Sequence, residues 1–428
     1  MKKNRCHSHI SQQRLLKPLP ISLVMVGALC VATPVQSQTL PELLEAVRSS
    51  HPAVRAARQT VDAAEKGVEA AKGRYWPTVS TVLEAGSKNA TAVPSKYLRI
   101  EQNLWDGGST EAAVESALSN VSVSELQLLR QEQLLQLEVI DAWQAAHTAR
   151  GRILVADSVA QRLREHEAMM LRRVQAEASA TIELQLIKAQ VLQADIERRK
   201  AQSNFEVAVQ RLEQLTGMSG LLKGIKAQPE LPDPTASTER MNALLKMSWQ
   251  QVVKSQPQVL LADAEVTQGA KQVNLKRAET KPQLYARVDR AFGGGAQTNA
   301  FVGVRYSVNT GWSQRSELAA LEARMAAIQA SRDASLLQVE EQVRRQLNEL
   351  EESAQRYNSL KLAVSSSRLI HESYIRQFVA GKKSWLDVMS AIRDVAANEY
   401  ALNEAIHGYA GHIATLTLYE SFANRSQP

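Results

Sequence analysis

The chain is written twice. An apolar helical run ends at Trp76-Pro77 and gives way to alternating residues, and a second run ends at Lys281-Pro282 and does the same, 205 residues later. Other landmarks keep nearly that offset: His51-Pro52 against Gln256-Pro257, Gly107 against Gly311, and Glu183 against Asp387. Repetition on this scale constrains architecture before any local pattern is weighed. It predicts a duplicated unit of long helices and two short strands, neither copy being a catalytic domain.

The first residues have the layout of a secretory signal over 1–37. Lys2, Lys3, Arg5, Arg14 and Lys17 give a basic start, Ile21 to Ala32 is mostly apolar, and Val35-Gln36-Ser37 offers small residues for cleavage. Loss of those five cations would take the net charge from +7 to about +2, so the basic balance implies no nucleic-acid partner. The only cysteines, Cys6 and Cys30, lie in the same segment. The exported chain is therefore expected to lack disulfides, thiolate metal sites and a cysteine nucleophile. Cys30 follows Leu29 inside the apolar stretch, which argues against lipid attachment. No run of 18 apolar residues exists, so a membrane passage would have to be made by strands.

Helical patterning predicts one helix from about Pro41 to Tyr75 and another from after Gly108 to about Arg173, on the order of 100 Å long at 1.5 Å per residue. Val114, Val121, Leu128, Leu135, Ala142 and Ala149 follow a seven-residue repeat. The next helix has a coiled-coil seam of Leu184, Ile187, Val191, Ala194, Arg198, Ala201, Phe205, Ala208, Leu212 and Leu215, broken only by Arg198. A matching seam of Val388, Ile392, Val395, Glu399, Leu402, Ile406, Tyr409, Ile413 and Leu416 is broken at Glu399, and five of its large positions, Val388, Val395, Leu402, Tyr409 and Leu416, sit 204 residues after positions of the first. The expected units are 38–216 and 241–428, joined by an irregular Pro-rich linker over 217–240.

Four segments alternate with period two, predicting strands over about 78–86, 97–104, 283–292 and 300–309. Val79, Thr81 and Leu83 share a face against Ser80 and Glu84; Leu98, Ile100 and Leu104 oppose Arg99, Glu101 and Asn103. Leu284, Ala286 and Val288 oppose Arg287 and Asp289; Val302, Val304, Tyr306 and Val308 oppose Gly303 and Arg305. Such lengths suit tilted membrane strands, with the apolar face on lipid. Trp76, Trp105 and Trp312 stand at strand ends, where amphipathic rings anchor at an interface. Polar turns are expected at 87–96 and 293–299. The alternative is a pair of soluble hairpins on a periplasmic coiled-coil adaptor or scaffold. Four strands cannot close a barrel, and an open edge in hydrocarbon leaves amides unpaired. Strands in a membrane would thus require several copies; three give a twelve-stranded barrel wide enough for a lumen.

The layout resembles the TolC family of outer-membrane channel proteins over essentially the whole mature chain. So do Ala71-Lys72-Gly73-Arg74-Tyr75-Trp76-Pro77, Gln102-Asn103-Leu104-Trp105-Asp106-Gly107-Gly108 and Gly381-Lys382-Lys383-Ser384-Trp385-Leu386-Asp387-Val388. The resemblance implies a mainly α fold with a transmembrane β-barrel. It implies a homotrimer with a long helical tunnel in the periplasm, placed in the outer membrane. As partners it implies a periplasmic adaptor protein and an inner-membrane exporter, with an ABC transporter expected. The aromatic Lys-Lys-Ser-Trp-Leu-Asp stretch is similar to the secretion-linked, agglutination-type branch, which implies type I secretion of a protein such as an adhesin; small-molecule efflux is the alternative.

The family closes its periplasmic end by latching inner helices together, and Phe378 to Ser390 resembles that latch. Asp387 matches an aspartate that rings the constriction, and Glu183 is its counterpart in the first unit. Lys383 stands where the reference member has arginine, Phe378 where it has tyrosine and Ser390 where it has a second aspartate. These differences imply fewer polar latches and a less acidic mouth, since lysine lacks the bidentate fork. Taken singly, Asp387 and Glu183 read equally as acids at helix N-termini. Phe292-Gly293-Gly294-Gly295 and Gly381-Lys382-Lys383-Ser384 each lack part of a phosphate loop. His147, His166, His371, His407 and His412 are scattered along the chain, so neither a metal site nor a cofactor is expected. No enzyme constellation is present in the sequence.

Overall fold

Pro52 divides the first helical run. The computed structural model describes residues 39–88, 91–222, 225, 234–292, 297–306 and 313–425, so segment 1–37 and Trp312 lie outside the described residues. Within them α1 (Leu40–Ser50) stops at His51, whose backbone is extended at φ −65° and ψ 132°, and α2 (Pro52–Lys72) begins anew. The single helix expected over 41–75 is thus two helices and a 3-10 turn (Gly73–Tyr75). A proline disfavours the α conformation in the residue before it, and the freed Ala53 N–H is capped by His51 Nδ1 at 3.2 Å.

The chain continues through β1 (Thr78–Lys88), β2 (Thr91–Trp105), α3 (Ser109–Gln175) and α4 (Thr181–Thr216). It then forms α5 (Pro234–Leu245), α6 (Trp249–Lys254), α7 (Pro257–Glu279), β3 (Gln283–Phe292), β4 (Thr298–Arg305), α8 (Ser313–Val379) and α9 (Trp385–Arg425). Both α3 and α8 have 67 residues, about 100 Å of helix at 1.5 Å per residue. No helix among the described residues is long and apolar enough to cross a membrane. The linker is less irregular than expected, because helix resumes at Pro234, a residue suited to a helix start. Its Leu221 and Ile225 are buried against Leu43, Val47 and Phe205.

The helical seams are buried where large residues meet alanine: Leu184, Ile187, Ala194, Ala201, Phe205, Leu212 and Leu215 on α4, and Val388, Ile392, Val395, Tyr409 and Leu416 on α9. Small residues between large ones let helix axes approach closely. Arg198 leaves its seam to pair with Asp157 of α3 at 2.8 Å.

The four strands form one antiparallel sheet in the order β1-β2-β3-β4. Its register aligns Val79 with Ile100, Ile100 with Val288 and Val288 with Ala300, a mainly apolar row across all strands. The adjacent row, Ser80–Arg99–Asp289–Asn299, is polar and belongs to the opposite face. A bulge between Asn103 and Trp105 shifts the β2–β3 register near the helical end. The turn expected at 87–96 is largely strand, with Ala85 paired to Pro94 and Lys88 to Thr91. Ladder pairing is made by backbone amides, so a polar stretch can sustain it. Of the second expected turn, 298–299 belong to β4 and 293–296 lie outside the described residues.

Candidate functional site

Two short turns, 176–180 between α3 and α4 and 380–384 between α8 and α9, are built alike. Ala178 N–H reaches back to the carbonyl of Arg173 and Glu177 N–H to Val174; Lys382 and Gly381 make the corresponding bonds to Gln377 and Phe378. This pair of bonds defines the Schellman ending and needs one left-handed residue. In the second turn that residue is Gly381 at φ 74°; in the first it is Glu177 at φ 55°. A side chain in that conformation is strained by about 1 kcal/mol. Glu177→Gly is therefore expected to raise the thermal midpoint of the purified protein, whereas Gly381→Ala should lower it.

The two turns share one apolar cluster. Met170 of α3, Leu184 and Ile187 of α4, Phe378 of α8, and Trp385, Val388 and Ile392 of α9 are all buried in it. Phe378 packs against Trp385 with the rings tilted and their centroids 5.1 Å apart, and the Arg173 guanidinium lies 4.7 Å from the Phe378 ring centre, tying the first turn to the second. Phenylalanine at this position thus serves in packing rather than hydrogen bonding.

Asp387 caps its own helix. Its Oδ2 accepts from Ser384 N–H at 3.1 Å and from Ser384 Oγ–H at 2.8 Å, while Asp387 N–H donates to Ser384 Oγ at 3.2 Å. These are the reciprocal bonds of a capping box, with aspartate in the usual glutamate place. They hold the carboxyl below its ordinary pKa, the Ser384 hydroxyl contributing most and Lys383 adding to it. Lys383 Nζ stands 4.0 Å from Asp387 Oδ1 and 4.6 Å from the centre of the Tyr374 ring. Glu183 occupies the corresponding place in the first turn, partly exposed near the start of α4, and Ser390 is exposed one turn beyond Asp387. The structure therefore gathers Phe378, Lys383 and Asp387 at one turn and puts Glu183 on the neighbouring one.

Above the turns lies a buried charge that the sequence showed only as a broken seam. The Glu399 carboxylate of α9 is 7% exposed. It accepts from Arg162 of α3, at 2.9 Å for one nitrogen, and from Arg368 of α8 at 3.0 and 2.6 Å. Burial would raise its pKa, but hydrogen bonds from the two arginines outweigh that and hold it below the ordinary value. One carboxylate thus joins three helices.

The histidines, scattered in sequence, are paired in space. His166 and His371 place their Nε2 atoms 3.2 Å apart, and His147 and His407 have ring centres 6.0 Å apart. His147 and His407 border a cavity of about 360 Å³ together with Val155, Val364, Asn403 and Ile406. Burial pulls the pKa of both down to about 4, with each other's proximity and Arg150 adding to the effect on His147. The unfolded chain, with histidine near 6.5, takes up protons first as pH falls. Stability is therefore expected to be intact above about pH 6.5 and to be lost progressively down to about pH 4. Thermal melting from pH 7.5 to 4.5 tests this, and His147→Gln should flatten the decline.

At the other end, the sheet separates its faces by chemistry. Arg99 pairs with Asp289 at 3.0 Å, Arg287 with Asp289 at 3.2 Å and Arg305 with Glu101 at 2.9 Å, all on the polar face. Val79, Val302 and Val304 on the opposite face are 62%, 72% and 68% exposed. Trp76 and Trp105 are also exposed and lie at the end of the sheet nearest the helices. Among the described residues, both outer strands, β1 and β4, have a free edge in the single chain.

A sequence profile described as the outer membrane efflux protein family matches residues 43–218. Among curated protein sequences none matches. The fold is similar to that of a membrane protein from Pseudomonas aeruginosa, at 16% identity and a TM-score of 0.75, covering 89% of each chain. It is also similar to the outer membrane protein VceC from Vibrio cholerae, at 15% identity and a TM-score of 0.74, over 89% of this chain and 95% of the other. The CmeC outer membrane channel of Campylobacter jejuni follows at 13% identity and a TM-score of 0.72, over 90% of this chain and 86% of that one. By its first half the chain is similar to the outer membrane efflux protein family, and over about nine-tenths of its length it has the fold of these outer membrane channels.

Proposed function

We propose that this outer-membrane protein is the exit duct of a tripartite export system, assembled as a trimer whose sheets close one twelve-stranded barrel. The observation that carries it is a sheet with an exposed apolar face, a charged opposite face and two free edges. Lipid solvates the first, a water-filled lumen the second, and only neighbouring copies supply the third with hydrogen bonds. The long helices extend the conduit into the periplasm, where a periplasmic adaptor and an inner-membrane exporter, of the ABC type in this proposal, provide the driving force. The sequence has no nucleotide-binding motif of its own.

The shared cluster at the two turns is the constriction in this scheme. Asp387 and Glu183 supply its negative charge, Lys383 adjusts it, and Phe378 fixes the turn. Single-channel recording of Asp387→Asn and Lys383→Ala is the test: altered conductance or cation preference supports the assignment, and unchanged values in both reject it.

For cargo, type I secretion of a protein such as an adhesin is favoured by the Lys382-Lys383-Ser384-Trp385-Leu386-Asp387 stretch. The alternative is efflux of small molecules; the family's description names efflux without a cargo. Deleting the gene separates them. Loss of the surface adhesin with unchanged drug susceptibility supports secretion, and increased susceptibility with normal adhesin display supports efflux.

A further inference from the structure

His166 sits on α3 and His371 on α8, separated by the same 205 residues that part Trp76-Pro77 from Lys281-Pro282. Their rings meet edge to face, with centroids 5.2 Å apart and Nε2 atoms 3.2 Å apart. A direct hydrogen bond here requires opposite tautomers, one ring donating and the other accepting. A metal ion instead uses both lone pairs at once. Two metal–nitrogen bonds of about 2.0–2.1 Å spanning 3.2 Å enclose roughly 100°, close to a tetrahedral angle.

The pair stands at the edge of the helical body. His371 is buried, whereas His166 is only partly covered, leaving solvent access for the remaining ligands. Arg162 and Arg368, one turn before His166 and His371, share the carboxylate of Glu399, which offsets one of their two charges. The Trp385 ring lies 6.4 Å from that of His166, which connects the pair to the cluster at the turns.

We propose that His166 and His371 together bind one imidazole-preferring divalent ion of the zinc, copper or nickel class, linking α3 to α8 just above the two turns. Water completes the coordination. The ion is a staple between the two halves of the chain, and its binding does not depend on the export function.

The test is calorimetric titration of chelator-treated, full-length protein in detergent with zinc chloride. One saturable site per chain is expected. Loss of an outer-shell partner alone costs about 10–100-fold in affinity, so His166→Gln and His371→Gln should each weaken binding by about 100-fold or more. His412→Gln should leave it unchanged, and His371→Cys, which restores a ligand, should retain it. Melting curves confirm that each variant is folded. Copper-loaded wild type should show two imidazole nitrogens by electron paramagnetic resonance, and each glutamine variant one. Absence of a saturable site in the wild type, or undiminished binding in both glutamine variants, would overturn the proposal.

Discussion

Glu399→Ala is expected to destabilise the protein by about 3 kcal/mol, at the lower end of what breaking a buried ion pair costs. The lower end applies because Arg368 is more than half exposed and recovers hydration, while Arg162 is not. The alanine variant removes the only carboxylate in this cluster and leaves two cations facing each other between α3 and α8. Glu399→Gln should cost less, since the amide oxygen still accepts one hydrogen bond. Desolvating an ion pair is itself costly, so the triple variant Glu399→Leu, Arg162→Met, Arg368→Leu should recover most of the loss. Denaturant midpoints of the set decide it. A triple variant as weak as Glu399→Ala would mean that the carboxylate contributes something besides charge compensation.

Val288→Arg should disrupt assembly by about 2–4 kcal/mol, the cost of an arginine on the lipid face near the bilayer midplane. Val288 lies mid-strand in β3, in the row Val79–Ile100–Val288–Ala300. On a soluble hairpin the same change would fall within about 0.5 kcal/mol, as surface substitutions usually do. Asn299→Arg, one row away on the polar face, supplies the control. Folding yields into lipid vesicles should fall sharply for the first and little for the second. Equal yields would place both faces in water and favour the soluble scaffold.

Periodicity carried most of the fold into the sequence. A coiled-coil seam repeats every few residues along one chain, so Leu184, Phe205, Val388 and Tyr409 declare their burial locally. The alternating strands do the same, and their register joins Ile100 to Val288 across 188 residues. What could not be read was chemistry between helices. Glu399 showed only as a break in a seam, because its partners lie 237 and 31 residues away. The histidine pairs were hidden for the same reason, since spacing along a chain says nothing of contacts across helices 205 residues apart. Pro52 stood among the landmarks and still divided a helix expected to be continuous. The stretch Ser384-Trp385-Leu386-Asp387 was legible both as a cap and as a candidate constriction. The geometry displays the cap, and conductance has to decide the constriction.

The central claim is that the free edges of β1 and β4 are joined between copies. The most direct measurement is the mass of the detergent-extracted protein by multi-angle light scattering, corrected for bound detergent. Three chains per particle, dissociating to one only on heating, is the expected result. A monodisperse single chain that keeps its strands in detergent would contradict it.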